Sequence, residues 1–145
     1  GAGVGRNPER VAARPRRRDG RLGPPFLENP SMIYEPASRT YLLFYSAGDW
    51  RTSRYLTGFA RCSTPVGPCT PDSRGPFLKA GANRSGVGAL TAFRDPAGVL
   101  RVAYASWRSG REGNPRGTDP RLTTLARLVV SGSNPATQLV PLGAP

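Results

Sequence analysis

"MIYEPASRTYLLFYSAG", residues 32–48, and "TAFRDPAGVLRVAYASW", residues 91–107, carry one pattern twice. In each, an apolar run closes on an aromatic residue, an acid, Pro and Ala: Tyr34-Glu35-Pro36-Ala37, then Phe93-Arg94-Asp95-Pro96-Ala97, offset by one residue. A tight turn follows, then a second run with a tyrosine, Tyr45 or Tyr104, and later a third run with Ala-Arg, at Ala60-Arg61 and Ala126-Arg127. The runs are short, rich in aromatic and β-branched residues, and separated by Gly, Pro, Asp and Ser, which predicts strands.

Eight runs can be read from Phe26 onward: SMIYE, TYLLFYSA, YLTGFARC and PFLKA, then GALTAFRD, VLRVAYASW, RLTTLARLVV and TQLVPL. The chain is therefore all-β, and the runs repeat as two sets of four. Four antiparallel strands per repeat predict about two blades of a β-propeller, although a two-sheet sandwich also yields eight short strands. High Gly and Pro counts (18 and 16) fit a chain of turns without long helices.

Composition narrows the function. The net charge of +12 invites a nucleic-acid reading. Its distribution weighs against one: residues 1–21 hold seven arginines against Glu9 and Asp19, and the remaining positive charge is scattered. A basic β-domain that binds nucleic acid through its N-terminal arginines is the last of three alternatives. No apolar run approaches the ~20 residues that span a bilayer, so no membrane partner is expected. Residues 1–25 show neither helical nor alternating periodicity and are expected to be an arginine-rich linker or disordered arm ahead of a domain over residues 26–145. The opening GAGVG lacks a preceding strand and is no dinucleotide loop. The N-terminus also lacks the apolar stretch of a signal peptide.

Two cysteines, Cys62 and Cys69, flank a turn with Pro65, Gly67 and Pro68. Without histidine they do not make a zinc site, so no metal is expected. They form either a short-loop disulfide, which fits an oxidising, extracellular setting, or two free thiols.

The stretch "LENPSMIYEPASRTYLLFYSAGDW...RYLTGFARCSTPVGPC" resembles the third blade of the five-bladed propellers of glycoside hydrolase family 43, which include arabinofuranosidases, β-xylosidases and arabinanases. The family's E-x-P motif appears as Glu28-Asn29-Pro30, its aromatic strand as Tyr41 to Ser46, and its A-x-S/C-x-x-P-x-G-P closure as Ala60 to Pro68. "SGVGALTAFRDPAGVLRVAYASW" is similar to the family's fourth blade, and the match covers about residues 26 to 130.

The resemblance implies a partial propeller that hydrolyses O-glycosyl bonds in arabinose- or xylose-containing polysaccharide with inversion, and Glu28 as the general acid. A partly desolvated carboxyl facing a central pocket suits that role. Asn29-Pro30 is expected to keep the backbone extended there. Trp50, Tyr55 and Trp107 are candidates for sugar-stacking walls, or for packing between blades. Arg51 and Arg108 are candidates for hydrogen bonds to sugar hydroxyls, or for solvated surface.

The chain departs from the family in three ways. Glycoside hydrolysis needs two carboxylates; the resemblance puts the base on a blade not present here, and Asp49, Asp72, Asp95 and Asp119 match no family motif. Val87, Ala89 and Ala105 replace family positions, and with no histidine no central calcium or other cofactor is expected. Two blades do not close a ring, so the expected partner, besides an oligosaccharide, is the missing N-terminal blades of the same propeller. A non-catalytic carbohydrate-binding propeller remnant is the first alternative function.

Overall fold

The computed structural model describes residues 27–113, 117–131 and 136–141, with side chains described up to 130. The expected arm over residues 1–25 lies outside them. Eight strands form: β1 (Leu27–Glu35), β2 (Thr40–Ala47), β3 (Leu56–Cys62), β4 (Cys69–Pro71), β5 (Arg84–Arg94), β6 (Leu100–Arg108), β7 (Leu122–Ser131) and β8 (Ala136–Pro141). They make two four-stranded sheets in the orders β1-β2-β3-β4 and β5-β6-β7-β8, with every neighbour antiparallel. Each sheet is a meander of consecutive strands, with none exchanged between sheets. That is a propeller blade's topology, whereas sandwiches carry Greek-key crossings.

The period of two in "TYLLFYSA" decides which side of the first sheet is sealed. Leu42, Phe44 and Ser46 are fully buried, while Tyr41, Leu43 and Tyr45 point to the other face and stay half-buried. Register places Phe44 between Ser31 and Phe59. The second sheet answers with Leu90, Leu100, Val102, Ala126 and Leu128, so the core is the seam between two blade faces. Phe77 closes its side, 5.1 Å from Phe44 ring to ring. Burying Phe44 alone stabilises the fold by about 1.5–3 kcal/mol.

The repeated acids serve the turns. Glu35 accepts the amide of Ala37 at 3.2 Å, and Asp95 accepts those of Ala97 and Val99 at 3.0 and 2.9 Å. Both are side chains that bond their own backbone two residues on and close the hairpin. Asp95 also accepts from Arg101 Nε at 2.8 Å, and that bond holds its carboxyl below the usual range.

Three expectations are corrected. PFLKA is not the fourth strand of the first sheet: Cys69–Pro71 is, and Leu78 makes only an isolated bridge to Thr57. Cys62 and Cys69 are disulfide-bonded directly across the β3–β4 pair, which brings β4 to that edge before the chain reaches Phe77. Asn29 is not extended but lies at φ 52°, within the register shift between Glu28 and Ser31. Proline disfavours the right-handed helical region in its predecessor, and asparagine enters the left-handed one more readily than most residues. Tyr45 and Tyr104 are not equivalent either. Tyr45 lies on the outer face of its sheet opposite Gly58, whereas Tyr104 lies on the inner face beside the core. The one-residue offset in the repeat reverses the face.

Two glycines are required by close approach. A Cβ on Gly88 would sit 2.1 Å from the Tyr55 ring, and one on Gly58 would sit 2.4 Å from the Tyr45 ring. Tyr55 is 1% exposed and cannot swing aside, while Tyr45 is half-buried and can. Gly88→Ala is expected to cost about 3 kcal/mol, at the upper end of overpacking, and Gly58→Ala clearly less, read from denaturant midpoints. Replacing both cysteines by alanine is expected to remove roughly 2 kcal/mol, from the chain entropy of so short a loop, and is checked by the same unfolding curves.

Candidate active site

The two sheets run in the same sense. β5 lies against β1, β2 and β3, and Ser31 Oγ accepts the Ala92 amide at 2.9 Å between them. The starts of β1 and β5, the β2–β3 loop and the end of β6 therefore gather at one end of the molecule. Every candidate from the sequence falls there: Glu28 near the start of β1, Trp50, Arg51 and Tyr55 in or beside the β2–β3 loop, Trp107 and Arg108 at the end of β6.

Tyr55 is the centre of this end. Its hydroxyl donates to Glu28 Oε1 at 2.6 Å and accepts from Asn29 Nδ2 at 3.1 Å. Ser46 stands directly opposite Glu28 in the β1–β2 register, and its Oγ accepts the Ala89 amide at 2.8 Å. Burial, then the bond to Glu28, pushes the Tyr55 phenol above its ordinary value. The ring is sealed against Gly88, so Tyr55 is no sugar-stacking wall.

Arg121 occupies the other side of that ring. Its guanidinium lies 5.4 Å from the centre of Tyr55 and 5.8 Å from that of Trp107. It donates to the carbonyls of Gly86 and Ala105 at 3.0 and 3.2 Å. Burial lowers its pKa from the ordinary value, against the opposing pull of Tyr55 and Glu28. Trp107 is buried in turn: it stacks on Trp50 with ring centres 5.9 Å apart, and its Nε1 donates to the Trp50 carbonyl at 2.7 Å. Gly86, at φ 55°, leaves it room, since a Cβ there would meet Trp107 Cδ1 at 2.7 Å. Trp50 alone of the three aromatic candidates presents an open face, being 43% exposed.

The remaining candidates are simpler. Arg51 is tied back to Asp49 through Nε and NH2, both at 2.9 Å, and these bonds hold the Asp49 carboxyl below its usual range. Arg108 is exposed at the end of β6. Glu28 is exposed, as are Leu27, Asn29 and Pro30 beside it, and one of its oxygens is held by the buried Tyr55. A second carboxylate stands at this end, Glu112, which accepts from Ser85 Oγ and from the Gly110 amide; the Ser85 bond holds it below the usual range. Arg121 and Glu112 belong to no motif. Arg121 merely opens the run RLTTLARLVV, and only the packing of two sheets gives it its place.

No family model and no curated protein sequence matches the chain. Solved structures do. A thermostable family-43 glycoside hydrolase superposes with a TM-score of 0.65 at 26% identity, over 83% of this chain and 38% of its own. The fold is part of a family-43-type propeller. An endo-1,5-α-L-arabinanase from Thermotoga petrophila superposes with a TM-score of 0.67 at 18% identity, over 84% of this chain and 32% of its own. The α-L-arabinanase of Cellvibrio cellulosa complexed with arabinohexaose gives 0.58 at 19% identity, over 77% and 36%. The chain thus spans about a third of the length of the glycosidases it resembles, and it carries the all-β, two-blade portion of such a propeller. The chain has no histidine, and no three metal-ligating side chains cluster among the described residues.

Arg121→Leu is expected to leave the Gly86 and Ala105 carbonyls without their donor, at a cost of about 1–3 kcal/mol. The midpoint of chemical unfolding checks it, and tryptophan fluorescence reports the loss of the cation over Trp107.

Proposed function

We propose that this chain supplies the acid side of a glycosidase active site that hydrolyses O-glycosyl bonds in arabinose- or xylose-containing polysaccharide. One observation carries the reading. An exposed carboxylate, Glu28, is gripped through one oxygen by a buried tyrosine, at the same end of the blades as the open face of Trp50. The glycosidase-like fold and the E-x-P motif support it.

Glu28 gives its proton to the departing glycosidic oxygen as the C–O bond breaks. Water adds to the anomeric carbon, and its proton goes to a base carried by residues outside this chain. Trp50 offers its face to the apolar C–H side of a sugar ring, and Arg51 and Arg108 lie near enough in the fold to meet hydroxyls. The outer face of the first sheet, with half-buried Met32, Tyr41 and Leu43 and exposed Tyr34, is the surface on which a preceding blade of the same propeller sits. The disulfide supports an extracellular setting.

The test compares the complete propeller, this chain assembled with the blades that carry the base, with its Glu28→Gln variant on nitrophenyl arabinofuranoside and xyloside and on short arabinan and xylan oligosaccharides. The variant is expected to lose about 10²–10⁴-fold on the oligosaccharides, less on the nitrophenyl glycosides, and to keep sugar binding. Undiminished hydrolysis by Glu28→Gln excludes Glu28 as the acid. Sugar binding by a complete propeller that hydrolyses nothing favours the non-catalytic alternative.

A further inference from the structure

Four groups, the Ala89 amide, Ser46, Glu28 and the Tyr55 hydroxyl, stand in a line that crosses from one sheet to the other. The Ala89 amide donates to Ser46 Oγ at 2.8 Å, Ser46 lies directly opposite Glu28 in the β1–β2 register, and the Tyr55 hydroxyl donates to Glu28 Oε1 at 2.6 Å. A tyrosine hydroxyl has one proton and two acceptor sites. Asn29 Nδ2 donates to it at 3.1 Å, and its single proton points at Glu28.

The backbone is shaped to build this line. Ala89 is a non-glycine residue at φ 53°, within the register irregularity between Gly88 and Thr91, and its amide leaves the β5–β6 ladder to reach Ser46 on the first sheet. The neighbouring Gly88 lacks the Cβ that would strike Tyr55, and the Val87 amide donates to the Tyr55 carbonyl at 3.1 Å. Asn29 at φ 52° turns its side chain toward the same hydroxyl. Two strained residues and a glycine thus converge on one phenol that is 1% exposed. Strain of this kind persists where the surroundings over-determine it.

We infer that Tyr55 is a positioning residue for Glu28: it holds Oε1 and so assigns Oε2 as the oxygen that carries the proton to the leaving group. The inference rests on the reading of Glu28 as the acid and adds which oxygen acts and what holds it. As the proton leaves Oε2 and the glycosidic C–O bond breaks, Glu28 becomes a carboxylate, and the Tyr55 bond changes from neutral to charge-assisted. Such bonds are about twice as strong, so the gain falls in the transition state and not in the ground state. Tyr55 itself exchanges no proton and touches no substrate.

The decisive variant is Tyr55→Phe, which keeps the ring over Gly88 and removes only the hydroxyl. Acid assistance matters most for poor leaving groups. The variant is expected to lose roughly tenfold to a hundredfold in kcat on oligosaccharides and little on nitrophenyl glycosides, with KM nearly unchanged. A uniform loss on both substrate types, or none, overturns the inference.

A second measurement needs no activity. With tyrosines labelled at the phenolic carbon, the Tyr55 signal is identified by its absence from Tyr55→Phe. Glu28→Gln is expected to lower the pH at which that signal titrates, because the carboxylate charge is one cause of its elevation. The Tyr45 signal, raised by burial alone, stays in place. An unmoved Tyr55 signal overturns the contact itself. A complete propeller without hydrolysis defeats the reading of Glu28 as acid, and the titration, made on the 145-residue chain, then decides alone whether Tyr55 holds it.

Discussion

The arrangement at this end of the molecule depends on one close approach, that of the Tyr55 ring to Gly88. A side chain larger than hydrogen at position 88 would occupy the space of the ring. Because it does not, the phenol passes between the sheets and its hydroxyl emerges beside Glu28. The same contact brings the Tyr55 carbonyl within reach of the Val87 amide and sets the two blades in one sense. Below it, the seam of Leu42, Phe44, Phe59, Leu90 and Val102 supplies most of the burial. The seam gives cohesion, and the Tyr55–Gly88 contact gives register between the blades.

From that contact a column of stacked groups runs toward solvent: Tyr55, the Arg121 guanidinium, Trp107 and finally Trp50. Each layer fixes the next, through the Trp107 bond to the Trp50 carbonyl and the Arg121 bonds to Gly86 and Ala105. The half-buried cation is tolerable because two carbonyls and two aromatic faces replace part of its water. The outermost layer is the exposed face of Trp50, a rigid platform held from beneath. Glu28 stands beside the root of the column, exposed and held through one oxygen by Tyr55. One end of two blades therefore joins an apolar platform, an oriented carboxylate and a second carboxylate, Glu112.

Much of this was legible in the residues. The acid-Pro-Ala element at Glu35 and Asp95 marks both hairpins, because a carboxylate that accepts the amide two residues on is a local device and needs no tertiary context. The misreadings are the non-local ones. PFLKA has the composition of a strand, but the disulfide-bonded Cys69 takes that edge first. Tyr55 has the look of a stacking wall, since only its meeting with Gly88, far along the chain, shows that its ring is sealed. Asn29 looks extended by the rule for residues before proline, yet its side chain is drawn to Tyr55, and the backbone turns with it.

The sequence by itself determined an all-β chain, two repeats of four strands, the hairpin positions, and an acid placed where a blade strand begins. Periodicity, turn chemistry and motif order are short-range properties, and each can be checked within a few residues of where it is written. Only the tertiary structure decided which aromatic residues are open and which are sealed, that Arg121 stands between two of them, and which oxygen of Glu28 is held. Those outcomes depend on distances between residues on different sheets, and such distances follow from close packing and a shared proton inventory that no local pattern records.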